Sequence, residues 1–368
     1  MRGVSILQNR IGVGGRSVVI AEFIRLCNDA GVVPHVYCCS QAEDEEAFRA
    51  EHGLSLRYVL HRLPGFRGRG WSAYETPLLN LIAARSMRLY DLVFNSGRCP
   101  YFLPKGPVYI HYVHFPLEAT LTHEEHLRTA IGRLYTAPLR FLYAGRARGV
   151  KTGFFFANSA YTAAVLREVY KNLCSSQVRV VYPPCRVSVK LPFKERDLDV
   201  VSLGAFVSDK RQLEQVGVAA CMRDRSFNIV GSVKSARYYR ICEAEAAKRQ
   251  LRNVVFHPNA PRAVVEDLLV RSKVFLHSKR GEHFGVSTVE AIAHGCLPVV
   301  HDSGGSREVV PIRELRFNTS REAEERIERL LRLTASEREK LLGMMREHIR
   351  RFGVDQFRSA LVPFLEML

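Results

Sequence analysis

Two carboxylates eight positions apart, Glu282 and Glu290, enclose a Phe284-Gly285 turn and the start of an amphipathic segment at about Val286. A helix beginning there would aim unpaired backbone N–H groups, and the positive end of its dipole, back at the turn. That is where a diphosphate is stabilised. Gly285 lets a ligand come close to the backbone. Glu290, about one turn into the helix, can accept hydrogen bonds from vicinal hydroxyls such as a ribose 2′,3′ pair. Glu282, still on the loop, can reach the hydroxyls of a hexose. The combination suits a nucleotide diphosphate sugar.

The elements that must position these groups are legible on both sides. An apolar run from Val274 to His277 predicts a strand that delivers the loop. The helix after it ends near Gly295, and Leu297-Pro298-Val299-Val300 predicts a buried strand before Gly304-Gly305. Earlier strands are expected at Val200–Leu203, Phe227–Val230 and Val254–His257, with a helix at Arg262–Arg271. The first half repeats the same grammar. Val4–Leu7 predicts a strand, Asn9–Arg16 a glycine-rich loop and Ser17 to Ala30 a helix, so Gly14 and Gly15 stand where a backbone can approach phosphate. Further strands are expected at Val32–Cys38, Asp91–Phe94, Val108–Tyr112, Gly153–Ala157 and from Val178. Asn158-Ser159 should cap a helix over Ala160–Tyr170. Strand, loop and helix alternate throughout, which is an α/β pattern of two Rossmann-like domains. The boundaries expected are 1–185, a linker at 186–198, 199–350, and a C-terminal helix at 351–368.

The chain has 368 residues, enough for two cores. It contains no apolar run of the roughly 18 residues that a membrane-spanning helix requires. Met1-Arg2 leads directly into what reads as the first strand, so no signal peptide is expected there. Nine cysteines without a CxxC pair suggest reduced thiols and a cytoplasmic setting. The pairs His111/His114 and His123/His126 lack further ligands at metal-site spacing, so no metal is assigned. Lys plus Arg number 54 against 37 Asp plus Glu, a balance of +17 that attracts polyanions or an anionic membrane surface. No nucleic-acid-binding motif is present and the basic residues are dispersed, so no specific nucleic acid partner is expected. Residues 128–151 interleave Leu, Tyr and Phe with arginines, interrupted by Pro138. The stretch can lie at a lipid headgroup layer or serve as an ordinary domain helix. Gly65–Trp71 is a basic glycine-rich loop carrying the only tryptophan.

The string from Glu282 through Phe284-Gly285, Glu290, Gly295 and Leu297–Val300 to Gly304-Gly305 resembles the signature of retaining glycosyltransferases of the GT-B fold, family four. Tyr112-Val113-His114-Phe115-Pro116 is similar to a string in the dolichol-linked oligosaccharide α-1,2-mannosyltransferase type of that family. The strings Phe156-Ala157-Asn158-Ser159-Ala160-Tyr161-Thr162 and Val180-Val181-Tyr182-Pro183-Pro184-Cys185 also look like family strings in their expected order. The resemblance implies two Rossmann-like domains facing across a cleft, with the C-terminal helix 351–368 returning to the first domain. It implies transfer of a hexose, mannose favoured, from GDP-mannose or a UDP-sugar to a lipid-linked saccharide, glycolipid or other hydroxyl acceptor. The expected location is the cytosolic membrane face, as a peripheral protein, and the reaction needs no metal.

By the same resemblance Lys210, with Arg211 as its close rival, contacts the donor diphosphate together with the backbone of Phe284, Gly285 and Val286. Glu290 holds the ribose and Glu282 the sugar, His114 faces the transferred sugar, and Gly14 and Gly15 approach phosphate or acceptor. Family members usually carry an arginine soon after the glycine at 204; here Ala205 and Val207 occupy those places, and Arg211 is the cation that would replace it. Asp197-x-Asp199 matches a metal motif of another transferase fold, but falls on the lead-in to a strand. Two other functions compete: a non-catalytic or decayed GT-B protein binding nucleotide sugar or polyanion, and a GT-B sugar-nucleotide epimerase.

Overall fold

The computed structural model describes residues 3–12, 14–64, 72–97, 100–123, 130–146, 153–173, 177–188 and 196–367. The 65–71 loop, the two ends of the 128–151 stretch and residues 189–195 of the expected linker lie outside the described residues. The chain divides into two compact units, Met1–Pro184 with Val354–Leu368, and Cys185–Gly353.

In the first unit the described strands are β1 (Val4–Leu7), β2 (His35–Cys38), β3 (Val59–Arg62), β4 (Leu92–Asn95), β5 (Val108–Val113), β6 (Phe154–Ala157) and β7 (Val178–Val180). They pair in parallel in the order β3-β2-β1-β4-β5-β6-β7. Central strands of such a sheet are covered on both faces, which is why Val-Ser-Ile-Leu and Leu-Val-Phe-Asn are fully buried runs. One face packs on the helix Gly15–Asp29, through Val19, Ile20, Phe23 and Ile24, and on the helix Val354–Glu366, through Phe357, Leu361 and Phe364. Phe23 stacks on Phe94 at 4.0 Å. Each buried apolar side chain of the C-terminal helix contributes about 1.5–3 kcal/mol, and Arg358 ties the helix to Glu22 at 2.5 Å and Asp29 at 2.8 Å. Strand alternation sends Phe155 to the other face, against Val113, Leu139, Leu166 and Tyr170.

The second unit holds β8 (Leu198–Leu203), β9 (Phe227–Gly231), β10 (Val254–Pro258), β11 (Ser272–His277), β12 (Leu297–His301) and β13 (Arg316–Phe317), parallel in the order β10-β9-β8-β11-β12-β13. Both sheets reverse direction of growth beside their first strand, between β1 and β4 and between β8 and β11. At such a switch point the loops leave the sheet on opposite sides and open a crevice for a ligand.

Local chemistry explains most boundaries. Ser159 accepts from the backbone N–H of Thr162 and starts the helix Ala160–Val169 where expected. One expectation needs correction. Pro138 does not interrupt its helix, which runs Ala130–Arg146; the N–H that proline lacks would have bonded the carbonyl of Leu134, a residue 78% exposed, where water can serve that carbonyl. The charged segment 320–349 forms two helices, Ser320–Leu331 and Ala335–Ile349, because Thr334 and Glu337 form a reciprocal capping box that starts a new one. Val59–Arg62, only partly buried, was not expected as a strand and supplies the edge β3.

His111, on β5, is 3% exposed between the rings of Tyr109 and Phe155, with Nδ1 3.1 Å from Asn95 Nδ2. Burial pushes its pKa down to about 3. The folded protein therefore keeps the imidazole neutral while the unfolded chain takes up a proton below about pH 6.5. Stability is full above that value and falls as pH drops towards 3, by up to about 1.4 kcal/mol per pH unit from this group. Urea unfolding at pH 7.5, 6 and 5 should show the loss, and His111→Asn should flatten it. An unchanged slope in the variant would assign the acid sensitivity elsewhere.

Candidate functional site

The loops leaving β8 and β11 meet at the switch point of the second sheet. After β8, Gly204 donates to the Val230 carbonyl at 3.0 Å. Opposite it, a Cβ on Gly231 would overlap the Gly204 carbonyl, so the strand ends can approach only with glycine at 231. The chain then makes a tight turn at Ser208–Lys210, and Arg211, at φ 58°, opens the helix Gln212–Cys221. The aliphatic stem of Lys210 lies over Gly204.

After β11 come Ser278, Lys279 and the loop to Gly285, whose φ of 112° starts the helix Val286–Ala293. The double glycine of β12's loop holds this loop in place. Gly305 N donates to the Glu282 carbonyl at 2.6 Å, and Gly281 N to Ser303 Oγ at 2.7 Å. A Cβ on Gly304 or Gly305 would collide with the backbone of residues 281–284, which is the physical reason for two glycines there. Phe284, 2% exposed, packs edge-on against Phe352 at 5.0 Å.

Glu282 is buried at the centre. Its Oε2 accepts from Lys210 Nζ at 2.6 Å and from His277 Nε2 at 3.0 Å; its Oε1 accepts from the His283 N–H at 3.1 Å, with Lys279 Nζ 3.9 Å away. Burial by itself would raise the pKa of this carboxyl, but the charges of Lys210 and Lys279 and the hydrogen bond from His277 hold it well below the usual carboxylate range. Burial lowers the pKa of His277. Lys279 also pairs with Asp209 at 2.7 Å. Glu290 faces the N-terminal turn of the helix Arg262–Arg271, where Arg262 pairs with it and, at 2.8 Å, with Glu266. The hydroxyls of Ser278, Thr288 and Ser306 are buried without a hydrogen-bond partner, so the walls of the site retain unused polar capacity.

Lys210, Glu282, Phe284, Gly285, Val286 and Glu290 thus lie on two adjoining loops and one helix N-terminus of a single unit. Arg211 pairs with Glu214 at 2.6 Å. Behind Gly204, in place of a guanidinium, the amide of Gln212 reaches the carbonyls of Gly204 and Ala205. His114 and the glycines belong to the other unit. His114 follows β5, with Nε2 3.0 Å from Ser96 Oγ at the end of β4. Gly14, at φ 122°, caps the helix that begins at Gly15. Asp197 and Asp199 are structural: Asp197 pairs with Arg271, and Asp199 accepts from the backbone and hydroxyl of Ser226.

His277, Lys279, Asp209 and Arg262 were missed in the sequence. Lys279 and His277 lie just ahead of the carboxylate motif, and their spacing from a strand end was the available signal. Arg262 offered none, being brought to Glu290 only by the packing of two helices.

Residues 13–188 match the family model described as Glycosyltransferase Family 4, and residues 186–351 match Glycosyl transferases group 1. Among curated proteins, the chain is 27% identical over 233 residues to the GDP-Man:Man(3)GlcNAc(2)-PP-Dol alpha-1,2-mannosyltransferase of Xenopus tropicalis, covering 57% of this chain and 47% of that one. It is 24% identical over 356 residues to an alpha-1,3/1,6-mannosyltransferase of Mus musculus, covering 83% and 81%. The chain spans about half the length of the α-1,2 relatives it matches. Anabaena HepE in complex with UDP-glucose superposes over the whole of both chains with a TM-score of 0.75 at 14% identity. WaaG, a glycosyltransferase involved in lipopolysaccharide biosynthesis, gives a TM-score of 0.75 at 15% identity over 98% of this chain and 99% of that one. The fold of two parallel-sheet Rossmann-like units is GT-B.

Proposed function

The chain belongs to the group 1, family 4 glycosyltransferases, and on that premise we propose that it transfers a hexose, mannose favoured, from a nucleotide diphosphate sugar to a hydroxyl acceptor with retention of configuration. The observation that carries the proposal is the meeting of Lys210, Lys279, Glu282 and the Val286 helix N-terminus at one switch point. Positive charge and backbone N–H groups gather in a way that would serve a leaving diphosphate, and a carboxylate beside them would serve sugar hydroxyls. In the step itself the bond between the anomeric carbon and the phosphate oxygen breaks. The acceptor oxygen bonds to that carbon from the same face, and its proton passes to the departing phosphate. Lys210 and the amides of Phe284 to Val286 would carry the charge that develops on the diphosphate, and Glu290 would hold the ribose. His114, Gly14 and Gly15 would line the acceptor side.

GDP-mannose is the favoured donor because the name of the α-1,2 relatives includes GDP-Man; a UDP-sugar is the second choice, after the UDP-glucose complex of HepE. A lipid-linked saccharide at the cytosolic membrane face is the favoured acceptor. The α-1,2 relatives' name includes PP-Dol, the chain carries a +17 balance, and the helix Ala130–Arg146 exposes Leu134 and Phe141 at 78% and 89%. No helix among the described residues is long and apolar enough to cross a membrane.

The test is transfer from GDP-mannose and from UDP-sugars to lipid-diphosphate oligosaccharides and to soluble glycans, in the presence of anionic or neutral vesicles. Expected are product from GDP-mannose, an α-linkage by NMR, and sedimentation with anionic vesicles that weakens in high salt. An inverted anomer would overturn the retaining mechanism, and no transfer from any donor by folded protein would favour a binding role. Equal recovery with both vesicle types would remove the membrane arm.

A further inference from the structure

Glu282 already uses three of the roughly four acceptor positions of its carboxylate. Its Oε2 receives both Lys210 and His277, and its Oε1 receives the His283 N–H. When Lys210 turns towards a diphosphate, as the donor-site reading above requires, its hold on Oε2 loosens and the remaining partners must keep the carboxylate placed for a sugar hydroxyl. Lys210 is the one able to move: it stands on a short turn, its side chain is 25% exposed, and its ammonium ends a flexible four-carbon stem. His277 cannot follow. It is the last residue of β11, 3% exposed, in register with Val300 of β12, its ring parallel to that of Phe275.

We propose that His277 is a positioning residue, which holds Glu282 Oε2 in place once Lys210 has moved to the diphosphate. The exchange follows from hydrogen-bond accounting. A buried carboxylate that loses its ammonium partner needs a fixed donor to keep its rotamer and its charge, and His277 Nε2–H is that donor. Its contact with Glu282 resembles the outer partners that orient metal ligands, with a sugar in the metal's place. Lys279 stays near Oε1, tied to Asp209, and completes the cradle. His277 touches no part of the donor in this arrangement; it acts through Glu282.

The experiment compares His277→Leu and His277→Gln with the parent chain, using GDP, UDP and the corresponding nucleotide sugars in calorimetry, followed by kcat and KM. His277→Leu should bind the bare diphosphate within about threefold of the parent, because Lys210 remains. It should lose the extra affinity contributed by the sugar, and kcat should fall by roughly tenfold or more. His277→Gln, whose amide can still donate, should recover part of that loss. Thermal unfolding checks that each variant is folded; if the leucine variant is not, the glutamine variant decides by the same split between diphosphate and sugar. Parental kcat in a folded His277→Leu would overturn the proposal. So would an equal loss of diphosphate and sugar-nucleotide affinity in both variants, which marks a structural role. If the parent chain itself binds no nucleotide, the donor-site reading falls, a distinct outcome that takes this inference with it.

Discussion

Lys210→Ala is expected to bind a nucleoside diphosphate roughly 10- to 100-fold more weakly than the parent chain, and to lose at least that factor in kcat/KM. A hydrogen bond to a charged group is worth about 1.5–3 kcal/mol, and about 1.4 kcal/mol is tenfold in affinity. Catalysis suffers more than binding because the leaving diphosphate gains charge in the transition state, where the ammonium's attraction is greatest. The substitution has a second consequence. Glu282 loses the neighbour at 2.6 Å that most strongly keeps it ionised, so its pKa should rise and the acid limb of the pH–rate profile should move to higher pH. Sign and cause agree: burial favours the neutral carboxyl, and one of the two ammonium charges opposing burial is gone. Lys210→Arg keeps a charge but changes its geometry, and should fall between parent and alanine. Calorimetry with GDP and UDP, followed by kcat/KM from pH 5 to 9, measures both effects. Affinity within threefold of the parent and an unmoved acid limb would remove Lys210 from the diphosphate site.

Glu290→Ala should erase discrimination between ribose and 2′-deoxyribose nucleotides. In the parent chain a carboxylate accepting from the ribose hydroxyls would favour the ribonucleotide by roughly 10- to 100-fold, the value of a hydrogen bond to a charged group. With alanine both nucleotides should bind at the weaker, deoxy level. Arg262 bears on the outcome because it already occupies Glu290 Oε1 while also pairing with Glu266. It fixes the carboxylate's orientation and leaves Oε2 for a hydroxyl. Competition binding with paired GDP and 2′-deoxy-GDP reads the ratio directly. Discrimination that persists in a folded Glu290→Ala would place the ribose elsewhere.

How much of this could be known from the chain alone is best judged residue by residue. The helix Arg262–Arg271 was expected and observed with the same bounds, as was the Ser159 cap, because both depend on neighbours within a few positions. The buried strands were legible because a parallel sheet demands continuous apolar runs. β3 was not: Val-Leu-His-Arg is partly exposed at the edge, so its pattern carries no such signature. Pro138 misled because proline's cost depends on whether the carbonyl it deprives is buried, and that is not written in the local sequence.

At the site, types and spacing in the sequence determined that two carboxylates, a glycine turn and a helix start would stand together, since all lie within nine residues and share one strand, loop and helix. Periodicity and glycine placement likewise determined the α/β class. Tertiary structure decided which charge meets which. Lys210 reaches Glu282 across 72 positions, Arg262 reaches Glu290 through the packing of two helices, and Gly304 and Gly305 seat the loop that carries Glu282. The physical reason is range. Hydrogen-bonded caps, turns and apolar periods are set within a few residues, whereas charge pairing acts through space and is fixed only when a switch point brings distant strand ends together.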